Sequence, residues 1–71
     1  MSKVEKLAEL EGFNSSIEML EEVGMDSIVP GICTNKNCDY TTSVEPDQYE
    51  GYCEECGTNT VKSCLALLGI I

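Results

Sequence analysis

Thiols are the one reactive side chain this sequence supplies in quantity. Cys33 and Cys38 bracket the stretch CTNKNC, Cys53 and Cys56 bracket CEEC, and Cys64 stands apart. There is no histidine, so no imidazole can serve as a general base beside a thiol or hydroxyl. Paired thiols have a different aptitude. Two cysteines a few residues apart wrap a turn around one ion, and the backbone N–H groups of that turn can donate to the sulfurs. CEECG is the compact form, and Gly57 permits the positive φ that lets the chain bend back beneath the second sulfur. CTNKNC is a looser turn, with Asn35 and Asn37 tolerant of left-handed backbone. Fourteen residues separate Cys38 from Cys53, enough for a hairpin to go out and return. Two such turns brought together give four sulfurs in a tetrahedron, the closed coordination of structural zinc. Cys33, Cys38, Cys53 and Cys56 are the expected metal ligands.

The competing use of cysteines is disulfide bonding, and three features argue against it. MSKVEKLAELEG at the N-terminus has no apolar run resembling a secretory signal. CLALLGII is far too short to cross a bilayer. A cytoplasmic, reducing location is therefore expected, where disulfides are rare, and five cysteines is an odd number for a disulfide framework. The need for some staple is clear from size: 71 residues with four aromatic side chains and no tryptophan can bury only a small core. Cys64 lies in an apolar stripe with Val61, Leu65 and Leu68, which reads as a buried packing residue.

The elements that must position the thiols are legible in part. Val4, Leu7 and Ala8 form a narrow apolar face over residues 3–11, a short helix stopped by Gly12. Ser15 and Glu18 form an S-x-x-E capping box that opens a second helix, with Ile17 and Leu20, joined by Met19 or Val23, facing inward and Gly24 at its end. SIVPGI, broken by Pro30 and Gly31, reads as an edge segment leading into Cys33. YTTSV and QYEGYC, separated by the turn residues EPDQ, read as the two arms of a hairpin between the cysteine pairs, with Tyr40, Tyr49 and Tyr52 as its core and metal cover. The stripe beginning at Val61 reads as a helix ended by Gly69, with a further strand as the alternative for its first half. The fold class is thus α+β, a single domain over 1–71: an acidic helical segment over 1–27, a β-hairpin carrying two cysteine turns over 28–60, and a C-terminal helix over 61–71.

The four cysteines and the CEECG turn resemble the zinc ribbons of the rubredoxin-like group, over the central third of the chain. The first turn departs from the commoner two-residue spacing. The resemblance implies one structural zinc ion. It also implies an alternative, an iron-loaded electron carrier, which the short insert between the pairs and the sparse aromatics disfavour. VPGICTNKNCDYTT and CEECGTNTVKS further resemble small uncharacterised proteins of bacteriophage and environmental origin, a likeness that implies a viral source and no particular activity.

Charge narrows the function classes. Four lysines face thirteen aspartates and glutamates, for a net charge of −9, and four thiolates around one divalent ion deepen it. Zinc ribbons commonly bind nucleic acid, but that affinity rests on cationic side chains neutralising phosphates. Lys3, Lys6, Lys36 and Lys62 are scattered along the sequence, and no arginine is present to read guanine. Direct nucleic-acid binding is disfavoured. Catalysis is not expected either: the neighbouring carboxylates Glu21/Glu22 and Glu54/Glu55 diverge rather than converge, and four thiolates leave no open metal position. What remains is protein binding. Glu5 with Glu9, and Glu18 with Glu22, are like-charge pairs at i, i+4 that weaken a helix by a few tenths of a kcal/mol each, a repulsion that a basic partner would relieve. The expected function is a non-enzymatic interaction module, or an inhibitor, acting on a basic nucleic-acid-handling protein.

Overall fold

The computed structural model describes residues 2–70; Met1 and Ile71, the ends of the expected helical segments, lie outside them. Helix α1 spans Lys3–Leu10 and α2 spans Ser16–Val23, followed by strands β1 (Val29–Cys33), β2 (Thr41–Val44), β3 (Gly51–Cys53) and β4 (Thr58–Ser63), and one helical turn, α3 (Cys64–Leu67). The α+β class holds. No helix among the described residues is long and apolar enough to cross a membrane.

Both N-terminal helices begin on serine. Ser15 Oγ accepts from the Glu18 N–H at 3.2 Å, as the capping box predicts, although the Glu18 carboxylate reaches back to Asn14 rather than to Ser15. Ser2 caps α1 in the same way through the Glu5 N–H. Helix α1 ends in paired bonds from Gly12 N–H to Glu9 O and Phe13 N–H to Ala8 O, the Schellman arrangement. Its buried face is Leu7 and Ala8 with Val4 beside them, as expected. In α2 the inward stripe is Ser16, Met19, Leu20 and Val23, whereas Ile17 is 60 % exposed. The stripe is set one residue earlier than the apolar pattern suggests because Ser16, though polar, has a partner inside: its hydroxyl donates to the Glu5 carboxylate of α1.

The sheet is antiparallel, in the order β2-β1-β4-β3. The two segments expected to form one hairpin, 40–44 and 48–53, are strands, but they lie at opposite edges and do not pair. Each pairs instead with the strand on the far side of its own cysteine turn: β2 with β1 (Ile32 opposite Thr41, Val29 opposite Val44) and β3 with β4 (Gly51 opposite Val61). A cysteine turn is itself a chain reversal, so it makes the local hairpin, and residues 45–50 are left to cross from one edge to the other. The expected turn at EPDQ is present, with Gln48 N–H donating to Glu45 O. The crossover is fastened to the end of β4 by Ser63, whose N–H donates to Gln48 O at 2.9 Å and whose hydroxyl donates to Pro46 O at 2.5 Å. The same hydroxyl accepts from Ala66 N–H and caps α3. Residues 61–63 thus belong to a strand, and the helix beyond them is a single turn.

β1 is central rather than an edge, which Pro30 should oppose. The resolution lies in the register. Cys33 N–H faces β2 and Thr34 N–H faces β4, so by alternation the Pro30 nitrogen points to the β4 side. Pairing with β4 begins only at Gly31 opposite Ser63, one residue later, and no ladder bond is lost. Gly31 is needed for closeness: a Cβ there would sit 2.8 Å from Val44 Cγ2 and 3.1 Å from Lys62 O.

One core cluster joins the helices to the sheet through Leu7, Ala8, Met19, Val29, Ile32, Cys64 and Leu65. A second, smaller cluster of Cys33, Cys53 and Val61, with Cys38, Tyr40 and Val44 against it, lies at the cysteine end.

Candidate metal centre

β1 and β3 both run antiparallel to β4, hence in the same direction, and each ends on a cysteine, Cys33 and Cys53. The sheet therefore delivers both cysteine turns to the same end, side by side. The sulfurs of Cys33, Cys38, Cys53 and Cys56 all lie within 4.8 Å of one another, so the fold brings together the four expected ligands. Cys33–Cys56 are 3.8 Å apart and Cys38–Cys53 are 3.6 Å apart, each contact crossing from one turn to the other. All five cysteines are free thiols. A tetrahedron with metal–sulfur bonds of about 2.3 Å has edges of about 3.8 Å, so the donor set and its spacing fit a four-thiolate ion, consistent with a zinc-ribbon-like site.

The turns present N–H groups to the sulfurs. Asn35 N–H donates to Cys33, Tyr40 N–H to Cys38, and Cys56 N–H to Cys53, the last at 3.3 Å. Gly57 has φ +69° and its N–H closes the second turn onto Cys53 O at 2.8 Å, as the sequence predicts. A hydroxyl network links the turns: Asn35 Nδ2 donates to Thr58 Oγ1, which is 3.1 Å from Thr60 Oγ1, itself 3.1 Å from Cys33 Sγ. Thr34 adds two bonds to Thr60 O, from its N–H and its hydroxyl.

These contacts divide the thiols. Burial opposes ionisation of Cys33, yet the Thr60 hydroxyl, the Asn35 N–H and the neighbouring thiols outweigh it and bring the group down from 9.0 to about 7. The Tyr40 N–H favours the Cys38 thiolate, but burial and the other three sulfurs push it up to about 12. Burial, with Cys33 and Cys56 adding to it, also raises Cys53. Four sulfurs this close cannot all carry charge unaided; a divalent cation held by them would replace the protons and remove the repulsion. Cys56 is exposed while Cys33 and Cys53 are buried, so the cluster meets solvent on the Cys56 side.

Several features lie beyond the sequence reading. Lys3, at the start of α1, donates to Cys38 O and pairs with Asp39 at 3.5 Å, tying the N-terminal helix to the first cysteine turn. Of the tyrosines, Tyr40 packs against the cysteine cluster, while Tyr49 in the crossover and Tyr52 on the edge strand β3 are 42 % and 59 % exposed. Lys62 sits 5.8 Å from the Tyr49 ring centroid. Cys64 is fully buried in the helix-facing core, away from the other four, and burial raises its pKa above 9.0. Lys3, Lys6 and Lys36, scattered in the sequence, line one cleft. No protein-family model matches this chain, and no curated protein or solved structure matches it.

Proposed function

We propose that the protein is a small zinc-binding interaction module, in which a single structural zinc ion held by Cys33, Cys38, Cys53 and Cys56 sets the sheet and the helices present the docking surface. The observation that carries the metal reading is the mutual approach of all four sulfurs within 4.8 Å. Zinc suits a closed four-thiolate set that needs no redox change.

The docking reading is supported by what the helices leave in solvent. Glu5 is engaged by Ser16 and Glu18 by Asn14, whereas Glu9, Glu11, Glu21, Glu22 and Asp26 are exposed. Among them, Ile17, Met25 and Ile28 are 60 %, 98 % and 55 % exposed. Carboxylates beside exposed apolar side chains suit a protein partner with a basic surface, such as a nucleic-acid-handling protein, and suit a phosphate backbone poorly. The role is non-enzymatic, and a bacteriophage source rests on the sequence likeness alone.

Two measurements test this. Metal analysis of the purified protein gives one zinc per chain and a colourless solution; a red ferric protein assigns an electron carrier instead. A partner captured at low salt is released at high salt, because exposed charge pairs are screened, and is lost when Glu21, Glu22 and Asp26 are neutralised together. Capture that ignores both salt and those substitutions contradicts the docking surface.

A further inference from the structure

Three of the four lysines converge. Lys3, Lys6 and Lys36, with Ser2, Thr34 and Asp39, line a cleft of about 340 Å³ between the start of α1 and the first cysteine turn. Lys3 and Lys6 stand one helical turn apart at i, i+3, where like charges repel, and Lys36 approaches from CTNKNC. Asp39 offsets one of the three ammonium groups through its contact with Lys3, leaving two positive charges in excess. The rest of the chain holds one lysine against twelve carboxylates. A positive cleft on so negative a molecule is a local inversion of charge, and its ammonium groups have donors only.

We propose that this cleft binds a phosphate monoester dianion. The excess of two positive charges matches its charge near neutral pH, and the Lys6 and Lys36 ammonium groups, with the one Lys3 proton left over from Cys38 O and Asp39, meet its three terminal oxygens. Ser2 Oγ accepts from the Glu5 N–H, so its proton is free to serve a fourth bond, whereas the Thr34 hydroxyl already donates to Thr60 O and shapes the wall. The N-terminal end of α1 adds partial positive charge in the same sense. The volume suits a small ligand. A phosphodiester carries one negative charge and two terminal oxygens, so it matches the cleft less well.

The test is an NMR titration of the full-length, zinc-loaded protein at constant ionic strength, near pH 7.5, above the second phosphate pKa of about 6. Methyl phosphate is the monoester probe and dimethyl phosphate the diester. The expected result is saturable shifts at the Lys3, Lys6, Thr34 and Lys36 amides with methyl phosphate, and affinity at least about tenfold weaker for dimethyl phosphate. The doubly substituted Lys6→Gln, Lys36→Gln protein loses affinity about tenfold or more, since it removes two charged hydrogen-bond donors. Lys6→Arg with Lys36→Arg retains binding. Shifts that never saturate, shifts centred elsewhere, equal binding of the diester, or full affinity in the glutamine variant each overturn the proposal.

Discussion

The sulfur atoms of Cys38 and Cys53 lie 3.6 Å apart across a sequence separation of fifteen. They belong to different turns and different hairpins, and nothing covalent joins them. Two strands running in the same direction and ending on cysteine bring them together, and an ion bridging them would lock the two hairpins to each other.

Replacing Cys53 by serine removes a fully buried thiol of the cluster and should abolish tight metal binding. Structural zinc contributes about 10 kcal/mol in zinc-finger peptides, more than the roughly 3–5 kcal/mol that a core this small supplies. The expected outcome is loss of dispersed NMR signals from both hairpins, reproduced in the native sequence by a strong chelator. Cys64→Val, by contrast, keeps the metal and the fold.

Metal affinity should rise with pH. The Cys38 thiol, pushed up to about 12, and the raised Cys53 thiol hold protons that binding must displace. Competition against a chelator across pH 5 to 8, after correction for the chelator's own protonation, should show zinc released progressively as the pH falls.

The buried Cys64 thiol gives a separate alkaline signature. Burial raises its pKa in the folded state above the ordinary 9.0. Below pH 9 both states keep the proton and stability is unaffected. Above it the unfolded chain loses the proton while the folded chain holds it, so stability falls as pH rises. In chemical denaturation of zinc-loaded protein, the gap between the native sequence and Cys64→Val should shift in favour of valine from pH 9 upward.

Gly31→Ala places a Cβ 2.8 Å from Val44 Cγ2 and 3.1 Å from both Lys62 O and Val61 Cγ1. The β1 contact with both neighbours must open, at a cost of about 1–3 kcal/mol. Gly57→Ala acts differently: it has space, with only the Tyr52 hydroxyl at 3.8 Å, but its φ of +69° costs a side-chain-bearing residue about 1–2 kcal/mol. Gly57→Asn should recover part of that loss. Thermal denaturation of the zinc-loaded variants distinguishes the two mechanisms.

Features fixed by local chemistry were legible in the sequence. The two paired-cysteine turns, the left-handed glycine after Cys56, the serine cap of α2 and the stop at Gly12 each depend on residues within a turn of one another. Strand pairing was not, because β2 and β3 have the composition of a hairpin and only the cysteine turns, acting as reversals, assign them to other partners. Pro30 argues for an edge until the register shows that its nitrogen falls beyond the β4 ladder. Ile17 and Ser16 exchange roles because Glu5, eleven residues earlier, supplies the buried serine with a partner. The gathering of Lys3, Lys6 and Lys36 needs α1 docked beside the first cysteine turn, which no pattern along the chain reveals.

Native mass spectrometry of the purified protein, paired with alkylation of the zinc-loaded chain, tests the central claim most directly. The predicted result is one zinc ion per chain, with Cys33, Cys38, Cys53 and Cys56 protected together until chelator is added and the ion absent from Cys53→Ser. A metal-free chain that keeps the same fold, or four thiols that react independently of one another, would contradict it.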